Sequence, residues 1–286
     1  MLDFEIDSLI KKFDEKKYLK YENLTVLESR ELSKKLISRT HKELPEFSSI
    51  ETVTLTKENS TLFRNTLSTN QDYIVYIHGG GFVLHDVFSY QQVIKHLSIA
   101  LNKNIIAINY LKAPEFSYNE ICNSAFIQIQ ESLKITGKSV DNMIMLGDSA
   151  GANICLNYPD LSKIKQLHLI YPWLNFSLNT SSYKRLRNEG HLFLSEEVLK
   201  WFRDQLVFDN KDYKDLNSDK KLFPNLPETF VYAMGYDRLF DDALNFSKTN
   251  DVSFQNYKTL VHGSLFYFDY CKSSHKILTD IKENIN

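Results

Sequence analysis

The chain has 286 residues, 43% of them hydrophobic and 24% charged, with a formal net charge of −2. That length suits one large α/β domain with a sizeable core, and the near balance of Lys and Arg with Asp and Glu leaves no basic face for nucleic acid. No stretch of about 18 apolar residues exists, so no membrane-spanning helix is expected.

The start, Met1-Leu2-Asp3-Phe4-Glu5-Ile6-Asp7, is acidic and amphipathic, unlike the basic-then-apolar start of a secretory signal. Cys122, Cys155 and Cys271 are scattered without metal or disulfide spacing, which predicts buried free thiols and a cytoplasmic protein. Residues 1–47 read as helical: Leu2, Ile6, Leu9, Ile10 and Phe13 keep a helical spacing, and Leu32, Leu36 and Ile37 repeat it before Pro45. The period then changes. Val53 and Leu55 alternate with threonine, and 61–67 reads as a hairpin partner.

An apolar run over 73–77 suits a strand and ends in His78-Gly79-Gly80-Gly81. A helix over 90–101, a buried strand over 105–109 and a long helix near 118–134 follow. The run 143–146 reads as a strand, a short helix through Ile154 stops before Pro159, and 167–171 is another strand. Residues 175–222 interrupt the alternation, with a helix start at Ser195-Glu196-Glu197-Val198 and an apolar face of Leu199, Phe202 and Leu206. Strands over 229–234 and 252–257 and a closing helix over 265–285 complete the reading. Strand alternating with helix predicts an α/β fold, a mostly parallel sheet flanked by helices, in a single domain over 1–286.

Gly147-Asp148-Ser149-Ala150-Gly151 stands where a strand turns into a helix. Such a nucleophile elbow lifts a serine hydroxyl out of the sheet and tolerates only small neighbours, so Ser149 is the candidate nucleophile. Serine needs a base and a group to orient it, in the chain order Ser, Asp or Glu, His. After Ser149 the chain offers His168, His191, His262 and His275. His168 lies inside a strand pattern, His191 in the interruption and His275 in the last helix. His262 follows the last strand, in a Val-His-Gly-Ser loop, where a base belongs. Asp237 stands at the end of the 229–234 strand, whereas Asp241 and Asp242 fall where a helix begins and favour its dipole. The three glycines after 73–77 can turn backbone N–H groups toward one point, with the Ala150 N–H beside them, to hold a tetrahedral oxyanion. They lack the Lys and Ser/Thr of a phosphate-binding loop. Phe82, Phe88, Trp173, Phe193, Trp201 and Phe202 lie near the site in sequence, and each singly reads as packing.

His78-Gly79-Gly80-Gly81-Phe82 together with Gly147-Asp148-Ser149-Ala150-Gly151 resembles the hormone-sensitive lipase family of α/β-hydrolases. Tyr110 with Ala113-Pro114-Glu115, Gly235-Tyr236-Asp237 and His262-Gly263 extend the resemblance over roughly 50–285. It implies an α/β-hydrolase fold and hydrolysis of small short- to medium-chain acyl esters, without metal or cofactor. It implies oxyanion N–H groups from Gly80, Gly81 and Ala150, a loop-shaping role for His78, and a helical cap from about 1–47 and 175–222. Leu111-Lys112 stands where that family has Arg-Leu, Ala152 where a second glycine is common, and Ser264 where Phe often follows His-Gly. Amide or formamide hydrolysis and acyl transfer share the same machinery and stay open beside ester hydrolysis. A non-catalytic ligand-binding protein on the same fold is the alternative from another class.

Overall fold

Tyr73–Ile77 is buried along its whole length because the strand sits mid-sheet with a hydrophobic layer on either face. The computed structural model describes residues 2–15, 21–37, 44–68, 73–187, 194–208 and 212–285. Within them the chain runs α1 (Phe4–Glu15), α2 (Val26–Ile37), the hairpin β1 (Ile50–Thr54) and β2 (Thr61–Asn65), then β3 (Tyr73–Ile77) and α3 (Gln91–Leu101). Next come β4 (Asn104–Ile108), α4 (Tyr118–Thr136), β5 (Met143–Asp148), α5 (Ala150–Leu156) and β6 (Gln166–Ile170). The remainder is α6 (Ser181–Arg185), α7 (Glu196–Gln205), β7 (Glu228–Tyr236), α8 (Phe240–Asn250), β8 (Ser253–Val261) and α9 (His275–Asn284).

The strands form one eight-stranded sheet in the order β1-β2-β4-β3-β5-β6-β7-β8. Pairing is antiparallel at β1–β2 and β2–β4 and parallel elsewhere. Side chains alternate across the sheet as the pleat requires. Tyr73, Val75, Met143 and Met145 join the layer containing α4, α5, α7 and α8, while Ile74, Tyr76, Ile144 and Leu146 join that of α3 and α9. The long helix α4 opens on a capping box, in which the side chains of Ser117 and Glu120 each accept the other's backbone N–H, and closes at Gly137 in the left-handed region. The predicted α/β fold is therefore present, with β5, β7 and β8 running longer than expected and β2 ending earlier, at Asn65.

The closing helix is shorter than expected. Residues 265–285 begin with two short 3₁₀ turns, and only His275–Asn284 is α-helical. The N-terminal acids hold the break open: Asp3 accepts from Ser273 Oγ at 2.6 Å, and Glu5 accepts from the Lys272 N–H at 2.8 Å. His191 and Phe193 lie outside the described residues. All three cysteines are buried free thiols, as expected. Among the described residues, no helix is long and apolar enough to cross a membrane.

His168 is fully buried on β6, its Nδ1 2.9 Å from Tyr232 Oη and its ring stacked on Phe230. Burial pushes its pKa from 6.5 down to about 3. Between those values the unfolded chain binds a proton that the native chain does not, so stability falls as pH drops from 6.5 toward 3. His168→Phe is expected to flatten this acid limb, read as urea midpoints between pH 7 and 4. An unchanged slope would refute the assignment.

Candidate active site

Ser149 sits between β5 and α5 with φ 53° and ψ −118°, a conformation that L-residues adopt only where the surroundings force it. The turn is pinned on three sides. The Ser149 N–H donates to the Ile170 carbonyl at 2.9 Å, and the Ser149 carbonyl accepts from Trp173 at 3.2 Å and Asn153 at 3.3 Å. The small neighbours are required by close approach. A Cβ on Gly147 would lie 2.6 Å from Cys155 Sγ, and one on Gly151 would lie 2.1 Å from the Ile77 carbonyl oxygen.

His262 leaves the end of β8, and Gly263 takes the left-handed conformation (φ 75°) that turns the chain away. Its Nε2 lies 3.0 Å from Ser149 Oγ and its Nδ1 lies 2.7 Å from Asp237 Oδ2. Asp237 is buried at the end of β7, and its second oxygen accepts the Leu239 N–H at 2.9 Å. Residues 113 and 25 apart in sequence thus form one hydrogen-bonded chain. Tyr171, directly after β6, packs its ring 4.6 Å from the imidazole and walls it in.

After β3, Gly80 and Gly81 take φ values of 110° and 61°. Among the described residues, no acceptor takes the N–H of Gly80, Gly81 or Ala150. Gly81 lies against α7, where a Cβ would fall 2.3 Å from the Phe202 ring. The Gly79 N–H, by contrast, donates to Asp148 Oδ1 at 2.8 Å. Asp148 also accepts from Tyr76 at 2.7 Å and Tyr90 at 3.1 Å, so one buried carboxylate ties the glycine loop to the elbow. Burial raises its pKa, and those three donors oppose the rise. His78 does not line the cavity around Ser149: its Nδ1 donates to the Gly79 carbonyl at 2.7 Å and its ring stacks on Tyr110. Burial drives its pKa well down, so it is neutral.

Several supports were not legible beforehand. An arginine from α2 braces the segment around 111–115: Arg30 donates to the carbonyls of Val83 and Ala113 and forks onto the Glu115 carboxylate at 2.8 and 2.7 Å. Asp241 and Asp242 do more than favour a dipole. Asp242 is buried and accepts the N–H groups of Leu174 and Asn175, and Asp241 accepts that of Ser182. Both therefore fasten the segment beyond β6. Burial, with the neighbouring Asp219 and Asp237 carboxylates adding to it, raises the Asp242 pKa strongly, an effect those N–H groups partly offset.

The site opens into a cavity of about 930 Å³, mouth included. Its walls are largely apolar, with Tyr21, Leu36, Trp173, Leu199 and Phe202 among them. Of the other aromatics named from sequence, Phe88 is 75% exposed and Trp201 stacks on Tyr21 without lining the cavity. Phe82 packs behind the cavity against Trp173 and Phe176.

Residues 74–267 match the model of a family described as alpha/beta hydrolase fold. The chain belongs to this α/β-hydrolase family. The chain is 26% identical over 227 residues to an esterase of Acinetobacter venetianus, covering 73% of each chain. It is 23% identical over 271 residues to arylacetamide deacetylase-like 3 of Mus musculus, covering 69% of this chain. It spans 66% of that mouse protein and 57% of a relative from Acanthamoeba polyphaga mimivirus. Among solved structures it resembles an ester-hydrolase from the metagenome of Lake Arreo (TM-score 0.85, 22% identity, 100% of this chain and 98% of that one). A hormone-sensitive lipase from a metagenome library matches at TM-score 0.83 and 18% identity, over 100% of this chain and 98% of that one. The family resemblance carried by the two glycine motifs is borne out.

Proposed function

We propose that this hydrolase cleaves small carboxylic esters of short- to medium-chain acids through a serine ester. The observation that carries the reading is the hydrogen-bonded chain from Asp237 through His262 to Ser149, set in the wall of an apolar cavity. In this reading Ser149 Oγ attacks the ester carbonyl while His262 Nε2 takes its proton. Asp237 accepts from Nδ1–H, keeps the lone pair on Nε2 and stabilises the imidazolium that forms. The oxyanion falls to the unengaged N–H groups of Gly80, Gly81 and Ala150, each worth about 10²–10³ in turnover in sites of this kind. The imidazolium then protonates the leaving alcohol, and water repeats the steps to release the acid.

The N-terminal helices and the 175–222 interruption supply Tyr21, Leu36, Leu199 and Phe202 to the cavity, which supports reading both as a cap over a single catalytic domain. Buried, unpaired thiols support a reducing, cytoplasmic setting. A fluorophosphonate probe is expected to add once, at Ser149, as read by intact and peptide mass. Ser149→Ala is expected to abolish both labelling and 4-nitrophenyl butyrate hydrolysis while the melting temperature holds. Retained turnover in that variant overturns the reading.

A further inference from the structure

One wall of the cavity departs from the apolar lining. His85 follows the glycine loop in the left-handed backbone region, with φ 69°, and lines the cavity beside Tyr90 and Phe266. Its ring centroid lies 5.5 Å from that of Tyr90 and 6.0 Å from that of Phe266. A Cβ on Gly80 would come within 2.8 Å of His85 Cδ2, so the imidazole packs directly on the loop that carries the Gly80 and Gly81 N–H groups. No step of the ester hydrolysis above uses this residue.

The two ring nitrogens differ. Nδ1 is sealed from solvent and has no hydrogen-bond partner, which leaves Nε2 as the nitrogen accessible on the cavity wall. Burial pushes the His85 pKa down to about 3, with Lys112 and Lys34 adding to the fall and Asp86 opposing it, so the ring is neutral at physiological pH. A neutral imidazole carries one proton. A sealed N–H without an acceptor is a rarer and costlier orphan than a sealed lone pair, which puts that proton on Nε2. The cavity therefore contains a fixed, uncharged donor.

We infer that His85 determines specificity by donating Nε2–H to a second acceptor oxygen, of an ether, carbonyl or hydroxyl group, on the alcohol portion of the ester. The inference rests on the esterase reading. The side follows from the chemistry: the leaving oxygen must lie against His262 Nε2 to receive its proton. Its substituent then runs along the loop after His262, where Phe266 packs against His85. The wall of Trp173, Val198 and Phe202 is left for the acyl chain.

Butyl acetate and 2-methoxyethyl acetate form a matched pair, differing by one methylene exchanged for an ether oxygen. The test measures kcat/KM for both by acid release, in the parent chain, His85→Gly and His85→Asn. Glycine suits the left-handed backbone and removes the donor, while asparagine tolerates that backbone and keeps a donor on a shorter stem. The methoxyethyl-to-butyl ratio is expected to fall about five- to tenfold in His85→Gly, the size of one neutral hydrogen bond, and to lie between in His85→Asn. A merely structural role lowers both esters together and leaves the ratio unmoved, and that result overturns the inference. If the parent chain cleaves neither ester and Ser149 takes up no fluorophosphonate, the esterase reading itself fails first.

Discussion

Asp237→Asn is expected to lower kcat for ester hydrolysis by about 10⁴ while leaving the fold and the position of His262 intact. The Leu239 N–H donates to Asp237 Oδ1, so an asparagine at this position must keep its amide oxygen there. Its NH₂ group then occupies the place of Oδ2, 2.7 Å from His262 Nδ1, where it can only donate. The imidazole answers by accepting at Nδ1 and carrying its proton on Nε2. That proton points at Ser149 Oγ, and the base can no longer take one from the hydroxyl. The loss thus comes from a tautomer rather than from lost packing. Steady-state kinetics beside a thermal melt checks it. A loss below about tenfold with an unchanged melt would mean that Asp237 does not orient the base.

The parts of this site that were legible in the sequence share one property: local chemistry restricts the residue type. An elbow serine needs small neighbours, and Gly147 and Gly151 announce it because any Cβ there meets Cys155 or the end of β3. The base of the proposed triad must follow the last strand, and Gly263 beside His262 signals the turn that presents it. The mostly parallel sheet was readable for the same reason, since strands buried on both faces are apolar throughout.

What escaped reading depends on contacts between distant segments. Nothing near Asp148 in sequence tells that Tyr76 and Tyr90, 72 and 58 residues away, will bond its carboxylate. Arg30 reaches Glu115 across 85 residues, and the apolar spacing of α2 gives no sign of the side chain that leaves its polar face. Asp242 looks like any acid in a first helical turn until the backbone N–H groups of Leu174 and Asn175 come to it. The break before α9 is tertiary too. Residues 265–274 carry a helix-compatible pattern, but Asp3 and Glu5 from the other end of the chain bind the turn instead.

Gly151→Ala is expected to damage stability and turnover together, although helix propensity alone favours alanine by about 1 kcal/mol. A Cβ at this position in α5 would stand 2.1 Å from the Ile77 carbonyl oxygen and 2.6 Å from that of His78, far inside contact distance. Neither backbone oxygen can yield. Ile77 is paired with Ile108 on β4 and with Gly147 on β5, so a shift there breaks two parallel ladders in the middle of the sheet. The helix must move, carrying with it the Ala150 N–H and the strained Ser149 turn. Overpacking of this kind costs about 3 kcal/mol, a fall on the order of 5–10 °C in melting temperature. With Ser149 as the proposed nucleophile, a displacement of about 1 Å there is enough to cost roughly 10² in kcat. Gly137→Ala separates this clash from simple backbone strain. Gly137 has φ 65° with nothing within 4 Å of where a Cβ would stand, so its alanine variant carries only the left-handed penalty of about 1–2 kcal/mol and leaves turnover alone. If the two alanine variants melt and turn over alike, the close crossing of α5 over β3 does not hold Ser149 in place.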